Sequence, residues 1–330
     1  MSEKDIILRR YLSDKKRFTD LINGIAFGGQ EIIHTEEVED RDSVSVFHGT
    51  AKRVKRERDI IKKIVHNSQV IYIACENQME IHYGMPVRTI LYDGMTYNEQ
   101  LYEMKQKYRR KKDLKKSSEF LSGMKETDSL VAVITFVCYY GIEAWDSHLS
   151  IKDMVKIPEG YHKLESYLTD NRLNLVPMMK IDPNVFHGEL RELIALLQCN
   201  SDIQKIEDLV RTDHRYRYLS EETFEVLMVL SDAKISFKEW KPYAKMNQEG
   251  KVEYDMCRAF EQLEARGRQA GIQQGIQQGM QQGLKRGEQK LEQMNQLYFM
   301  LISENRYEDL KKAVEDKAFR EELYQKMQLI

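Results

Sequence analysis

The chain is short of the features that would assign it quickly. Only four cysteines occur in 330 residues, at positions 75, 138, 199 and 257. Such wide spacing fits neither a zinc site nor a disulfide framework, so they are expected to be reduced core residues of a cytoplasmic protein. No apolar run approaches the roughly 20 residues needed to cross a bilayer, so no membrane partner is expected. The stretch MSEKDIILRRYLSDKKRF is charged throughout and lacks the apolar centre of a signal peptide. Charge of neither sign prevails, the formal net value being −2, so any binding of nucleic acid must come from local patches. No phosphate-binding glycine loop, nucleophile elbow or zinc pattern is present.

What the chain does have is a hydrophobic content of 42%, enough for a real core. Residues 5–28 read as two amphipathic helical runs closed by Gly28-Gly29. After an acidic linker, 43–50, 53–65 and 69–77 read as three strands, the last two joined at His66-Asn67-Ser68. Apolar steps of three and four at Val87, Ile90, Leu91, Met95, Leu101, Met104 and Tyr108 predict a helix over 85–112. SLVAVITFVCYYG (129–141) predicts a strand buried on both faces. Residues 142–185 read as loop, with Trp145 in the core, and 186–232 return to helical period. The order of helix, three strands, helix and strand implies a crossover onto an existing sheet, hence an α/β class.

The most informative segment is 53–78, RVKRERDIIKKIVHNSQVIYIACENQ. A basic, β-prone run carries one acid, Asp59, and the next run ends Glu-Asn-Gln. With both runs as neighbouring strands, Asp59 shares its face with Glu57 and Ile61, and Glu76 shares its face with Ala74 and Gln78. Asp59 and Glu76 can then aim at one spot. Two carboxylates suit Mg²⁺, a hard cation that takes one or two of them and keeps several waters. Such an ion can activate a water and shield charge on a phosphodiester. Gln78 could orient water or a phosphate oxygen, but an amide cannot act as a base at neutral pH. D-x16-E-x-Q is a loose pattern, and an acid pair on a solvated sheet edge is the plain alternative. Basic residues around Asp59, among them Arg56, Arg58 and Lys62, and a second basic run over 105–116 suit phosphate contact, with tyrosines interleaved. A solvated face with cations at a helix C-terminus is the alternative there. His82 and His66 read as turn residues.

Glycine recurs every four residues from Gly267 to Gly287, with Ile272, Ile276, Met280 and Leu284 following four of the glycines. A repeat longer than 3.6 favours right-handed coiling of paired helices, and small residues allow close approach. Self-association, a flexible polar tether and a product of short tandem duplication all remain open. Residues 288–328 read as a terminal helical cap.

FTDLINGIAFGG, RERDIIKK, CENQMEIHYGMPVRTILYDGMTYNEQ, VITFVCYYG, FHGELREL and the glycine ladder together resemble one bacterial family, the Rpn recombination-promoting nucleases and putative transposases of the PD-(D/E)XK superfamily. The resemblance runs from about residue 11 to 290 and is most specific over 76–100. It implies a restriction-endonuclease-like α-β-β-β-α-β core with a helical C-terminal extension. It also implies DNA endonuclease activity dependent on Mg²⁺ or Mn²⁺ and linked to recombination and mobile elements. Asp59 and Glu76 match the motif acids, and Gln78 occupies the position where the superfamily carries lysine. Asp20 sits in FTDLIN, where the family carries an acid or amide, as an extra metal or water contact. Tyr97 and Gln100 stand as DNA-contacting or supporting groups, with packing of the helix on the sheet as the alternative. The expected organisation is a nuclease-like domain over 1–235 and a helical region over 236–330 that pairs two protomers, with DNA as the other partner.

Overall fold

The computed structural model describes residues 3–48, 53–199, 202–230, 244–248 and 250–327. Two helices open it, α1 (Glu3–Leu12) and α2 (Lys15–Phe27). They part at Ser13-Asp14, where Asp14 accepts the Arg17 N–H at 3.1 Å as an N-cap. Gly28, at φ 62°, ends α2 with a left-handed cap. The strands β1 (Val38–Asp40), β2 (Val44–His48), β3 (Arg53–Glu57), β4 (Ile60–His66) and β5 (Gln69–Gln78) follow. Then come α3 (Met85–Lys111), α4 (Ser117–Ser122), β6 (Ala132–Tyr139), α5 (Ile151–Met154) and β7 (Asn174–Pro177). The remaining elements are α6 (Leu190–Gln198), α7 (Ile203–Thr212), β8 (Leu219–Ser220), α8 (Glu221–Leu230), β9 (Ala244–Met246), β10 (Val252–Tyr254), α9 (Met256–Ser303), α10 (Tyr307–Glu315) and α11 (Lys317–Lys326).

The class is α/β, with a mixed five-stranded sheet ordered β1-β4-β5-β6-β7. The β1–β4 and β4–β5 pairs are antiparallel, whereas the β5–β6 and β6–β7 pairs are parallel. The tight turn between β4 and β5 places Asn67 and Ser68 at φ 49° and 66°, the paired left-handed conformation of a two-residue hairpin. Helix α3 supplies the crossover that a parallel β5–β6 pair requires. Alternation along β4 and β5 divides the sheet into two faces. One carries Ile60, Lys62, Ile64, Ile73 and Cys75, and Lys62 there reaches the Ser13 carbonyl between α1 and α2. The other carries Ile61, Tyr72, Ala74 and Glu76 and lies towards α3. All four cysteines are free thiols.

Several expectations need correction. The first strand of the sheet is 38–40, not 43–50; residues 44–48 pair instead with 53–57 in a separate two-stranded hairpin. The long strand expected over 53–65 breaks at Arg58-Asp59, which turns both side chains inward. In β6 only Thr135 and Val137–Tyr139 are buried, and Ile134 is 37% exposed, so the strand is not covered on both faces. The region 142–185 contains β7, a short edge strand that Pro177 ends. Along α3 the expected apolar stripe is partly outside: Val87, Ile90 and Leu91 are exposed, while Thr89, Tyr92, Met95, Thr96 and Gln100 are buried.

The chain forms two compact units, Met1–Ala259 and Phe260–Ile330. The boundary expected near 235 falls in 231–243, outside the described residues. In the second unit, Leu297 and Leu301 of α9 pack with Ala313, Leu323 and Tyr324 of α10 and α11 into a small core, as a helical cap requires. Leu291 and Val314, in the same helical stretch, are exposed.

Candidate functional site

The site is built where β3 ends, β4 begins and β5 approaches its C-terminal end. Ile60 pairs with Cys75, so Asp59, one position earlier, lies beside Glu76. Asp59 belongs to neither strand but sits in the bend between β3 and β4, in register with the face that carries Ile61 and Glu76. Its Oδ2 instead accepts the Asn77 N–H at 2.8 Å, tying the bend to β5. The two acids are buried: Asp59 is 8% exposed and Glu76 is fully covered. Burial raises the Asp59 carboxyl above its usual range, partly offset by the Asn77 amide. Glu76 is pushed up to about 8, first by burial and then by the charge of Asp59. Neither is therefore a solvated edge acid.

Arg88, in the first turn of α3, places Nη2 at 3.0 Å from Glu76 Oε2. The other oxygen, Oε1, is buried and has no hydrogen-bond partner, and so is Arg88 Nε. Tyr92, one turn further along α3, lies 5.4 Å from the Arg88 guanidinium and donates its hydroxyl to the Glu57 carbonyl. From α1, Arg9 bonds Glu57 and Ser43 beside the bend. Asp5, also on α1, adds to the upward pressure on Asp59. Sequence reading missed Arg88, Arg9 and Asp5. A basic residue twelve positions after Glu76, in the first turn of the following helix, was the available signal for Arg88.

The other expected site residues are spread among different tasks. Gln78 closes β5, half-buried, and its amide donates to the neighbouring Asn77 carbonyl at 2.8 Å. Asp20 is not at the acid pair's disposal: its two oxygens accept the backbone N–H groups of His187 and Gly188 at 2.7 and 3.0 Å. Arg58, expected to contact DNA, is 1% exposed. It lies under α3, where it bonds Thr135 at 2.8 Å and Asp93 at 2.7 Å. Lys62 is likewise covered, on the opposite face of the sheet from Glu76, with Asp40 at 2.5 Å and the Ser13 carbonyl at 2.6 Å. Burial and these partners remove both from a phosphate-facing surface. Tyr97 accepts the Val133 N–H, and Gln100 makes a two-point bond to the Val131 backbone. Both hold α3 on β6, which is the packing alternative. Arg56 is exposed.

Among the described residues no group of three or more His, Cys, Asp or Glu is arranged to hold a metal. The pair nevertheless suits a hard divalent cation. Two carboxylates meet in a covered place, one with an orphaned oxygen, and their mutual charge is the kind a cation relieves. No protein-family model matches the chain, and no curated protein or solved structure matches it either.

Proposed function

We propose that the chain is a metal-dependent DNA endonuclease of the PD-(D/E)XK type, related to the Rpn recombination-promoting nucleases. The observation that supports this reading best is the buried, adjacent pair Asp59 and Glu76 with its unpartnered Glu76 Oε1. A stable core has little reason to bury two carboxylates side by side with an oxygen unbonded. Asp59 and Glu76 would hold Mg²⁺ or Mn²⁺, which supplies water activation and shields the charge of a phosphodiester undergoing hydrolysis. Asp59 is fixed by the Asn77 amide, so its free oxygen has a set direction. Glu76 is fixed by the rigid centre of the sheet between β4 and β6. Gln78, at the strand end, would position water or a phosphate oxygen without exchanging a proton. Backbone contact falls to exposed basic residues, Arg56 in the β2–β3 hairpin and Arg109, Arg110 and Lys111 at the end of α3.

We also propose that α9 pairs with a second copy. Each of Gly271, Gly275, Gly279 and Gly283 has open space where a Cβ would stand. The residues after them, Ile272, Ile276, Met280 and Leu284, are all more than half exposed. An apolar stripe beside a glycine track on a polar helix supports close helix pairing over a tether.

Plasmid nicking in Mg²⁺ and Mn²⁺ tests the activity. Wild type is expected to nick, and Asp59→Ala and Glu76→Ala to lose at least about 10²-fold. Equal nicking by all three, or none by wild type in any divalent ion, removes catalysis. Salt-sensitive DNA binding retained by all three would then favour a non-catalytic DNA-binding protein.

A further inference from the structure

Arg88 is the one cation that the described residues place directly on the acid pair, and its bonding is incomplete. Its Nη2 holds Glu76 Oε2 at 3.0 Å, yet its buried Nε and the buried Glu76 Oε1 each have no partner. The Glu76 side chain is fully covered, whereas that of Arg88 is 28% exposed, so Arg88 is the partner of the two that reaches solvent. An unmade bond in a covered place is costly. Each partner keeps one unmade bond, so a single hydrogen bond holds the two together and a competing group can displace it.

Charge decides what that group is. Binding a divalent cation requires both carboxylates to be ionised, and two negative charges then face Arg88 alone. A divalent cation seated on them neutralises both, and the guanidinium is left with no carboxylate to balance it. It then repels the cation and attracts an anion. Its planar fork of donors matches the oxygens of a phosphate. Gln78, the neighbouring residue at the end of β5, carries no charge and cannot fill this role.

We propose that Arg88 has two positions: on Glu76 when the site lacks a divalent cation, and on the non-bridging oxygens of the scissile phosphate when cation and DNA are present. The proposal rests on the nuclease reading above. In the first position Arg88 competes with the cation for Glu76; in the second it stabilises the charge that grows on phosphorus-bound oxygen during hydrolysis.

Titration calorimetry of the full chain with Mn²⁺ alone tests the first position, using wild type, Arg88→Met, Arg88→Lys and Asp59→Asn. Far-UV circular dichroism melts confirm that each is folded. Anisotropy of a labelled DNA duplex in Ca²⁺ tests the second. Arg88→Met is expected to bind Mn²⁺ about tenfold more tightly and the duplex about tenfold more weakly, the size of one hydrogen bond to a charged group. Arg88→Lys, which keeps the charge but not the fork, is expected between the two on both measures. Mn²⁺ binding to Arg88→Met that is no tighter than wild type, or an unchanged duplex affinity, overturns the proposal while leaving the cation seat standing. If wild type and Asp59→Asn bind Mn²⁺ alike, the seat itself is absent, and the nuclease reading falls together with the role of Arg88.

Discussion

Replacing Glu76 by glutamine is expected to flatten the pH dependence of stability. In the folded chain Glu76 keeps its proton up to about pH 8, because burial and the Asp59 charge disfavour ionisation. In the unfolded chain the same group ionises near its ordinary value of 4.5. Between those values the folded state binds more protons than the unfolded state, so stability falls as pH rises, and the loss is complete above about pH 8. Each decade of proton affinity is worth about 1.4 kcal/mol, so the whole effect is at most roughly 5 kcal/mol and on the order of 2–5 after local relaxation. Asp59, also raised, adds in the same direction. Urea denaturation in EDTA at several pH values across this window measures it. The wild-type curve should descend by a few kcal/mol more than that of Glu76→Gln. Added Mg²⁺ should restore wild-type stability most at the alkaline end, because the cation requires the ionised carboxylates. Parallel pH profiles for the two proteins, with no recovery in Mg²⁺, would refute the reasoning.

Asp20→Ala should lower stability by about 1–3 kcal/mol, as two backbone amides lose their acceptor, and leave Mn²⁺ affinity unchanged by calorimetry. A large loss of Mn²⁺ affinity would return Asp20 to the metal site. Gly24→Ala should destabilise by roughly 1–3 kcal/mol, offset by up to about 1 kcal/mol of helix propensity. The added Cβ would run into the ring of buried Phe186, and thermal melts read the outcome. Met280→Glu together with Ile276→Glu should shift sedimentation towards monomer, because each places a charge on the stripe proposed to pair; an unchanged profile removes that pairing.

The sequence made the α/β order, the β4–β5 hairpin and the adjacency of Asp59 and Glu76 legible, since each follows from short-range pattern. An apolar run ending in Glu-Asn-Gln fixes where a buried acid falls on a strand, and Asn67-Ser68 fixes the register. The break at Arg58-Asp59 was hidden. A basic β-prone run reads as one strand until tertiary contacts draw Arg58 under α3 to Asp93 and Thr135. The same contacts explain why α3 buries Thr89, Thr96 and Gln100 instead of Val87 and Ile90. That helix covers a polar site and holds β6 through side-chain bonds to backbone, so apolar spacing names the wrong face. Arg88 was overlooked for a related reason: a basic residue in the first turn of the next helix takes its meaning from a partner on another element.

The most direct measurement is an anomalous difference map from Mn²⁺-soaked crystals of the full chain. A single peak bound by both Asp59 and Glu76, at the roughly 2.0–2.2 Å expected of oxygen ligands to such an ion, is the predicted result. No peak at these carboxylates, or one reached by only one of them, would contradict the account.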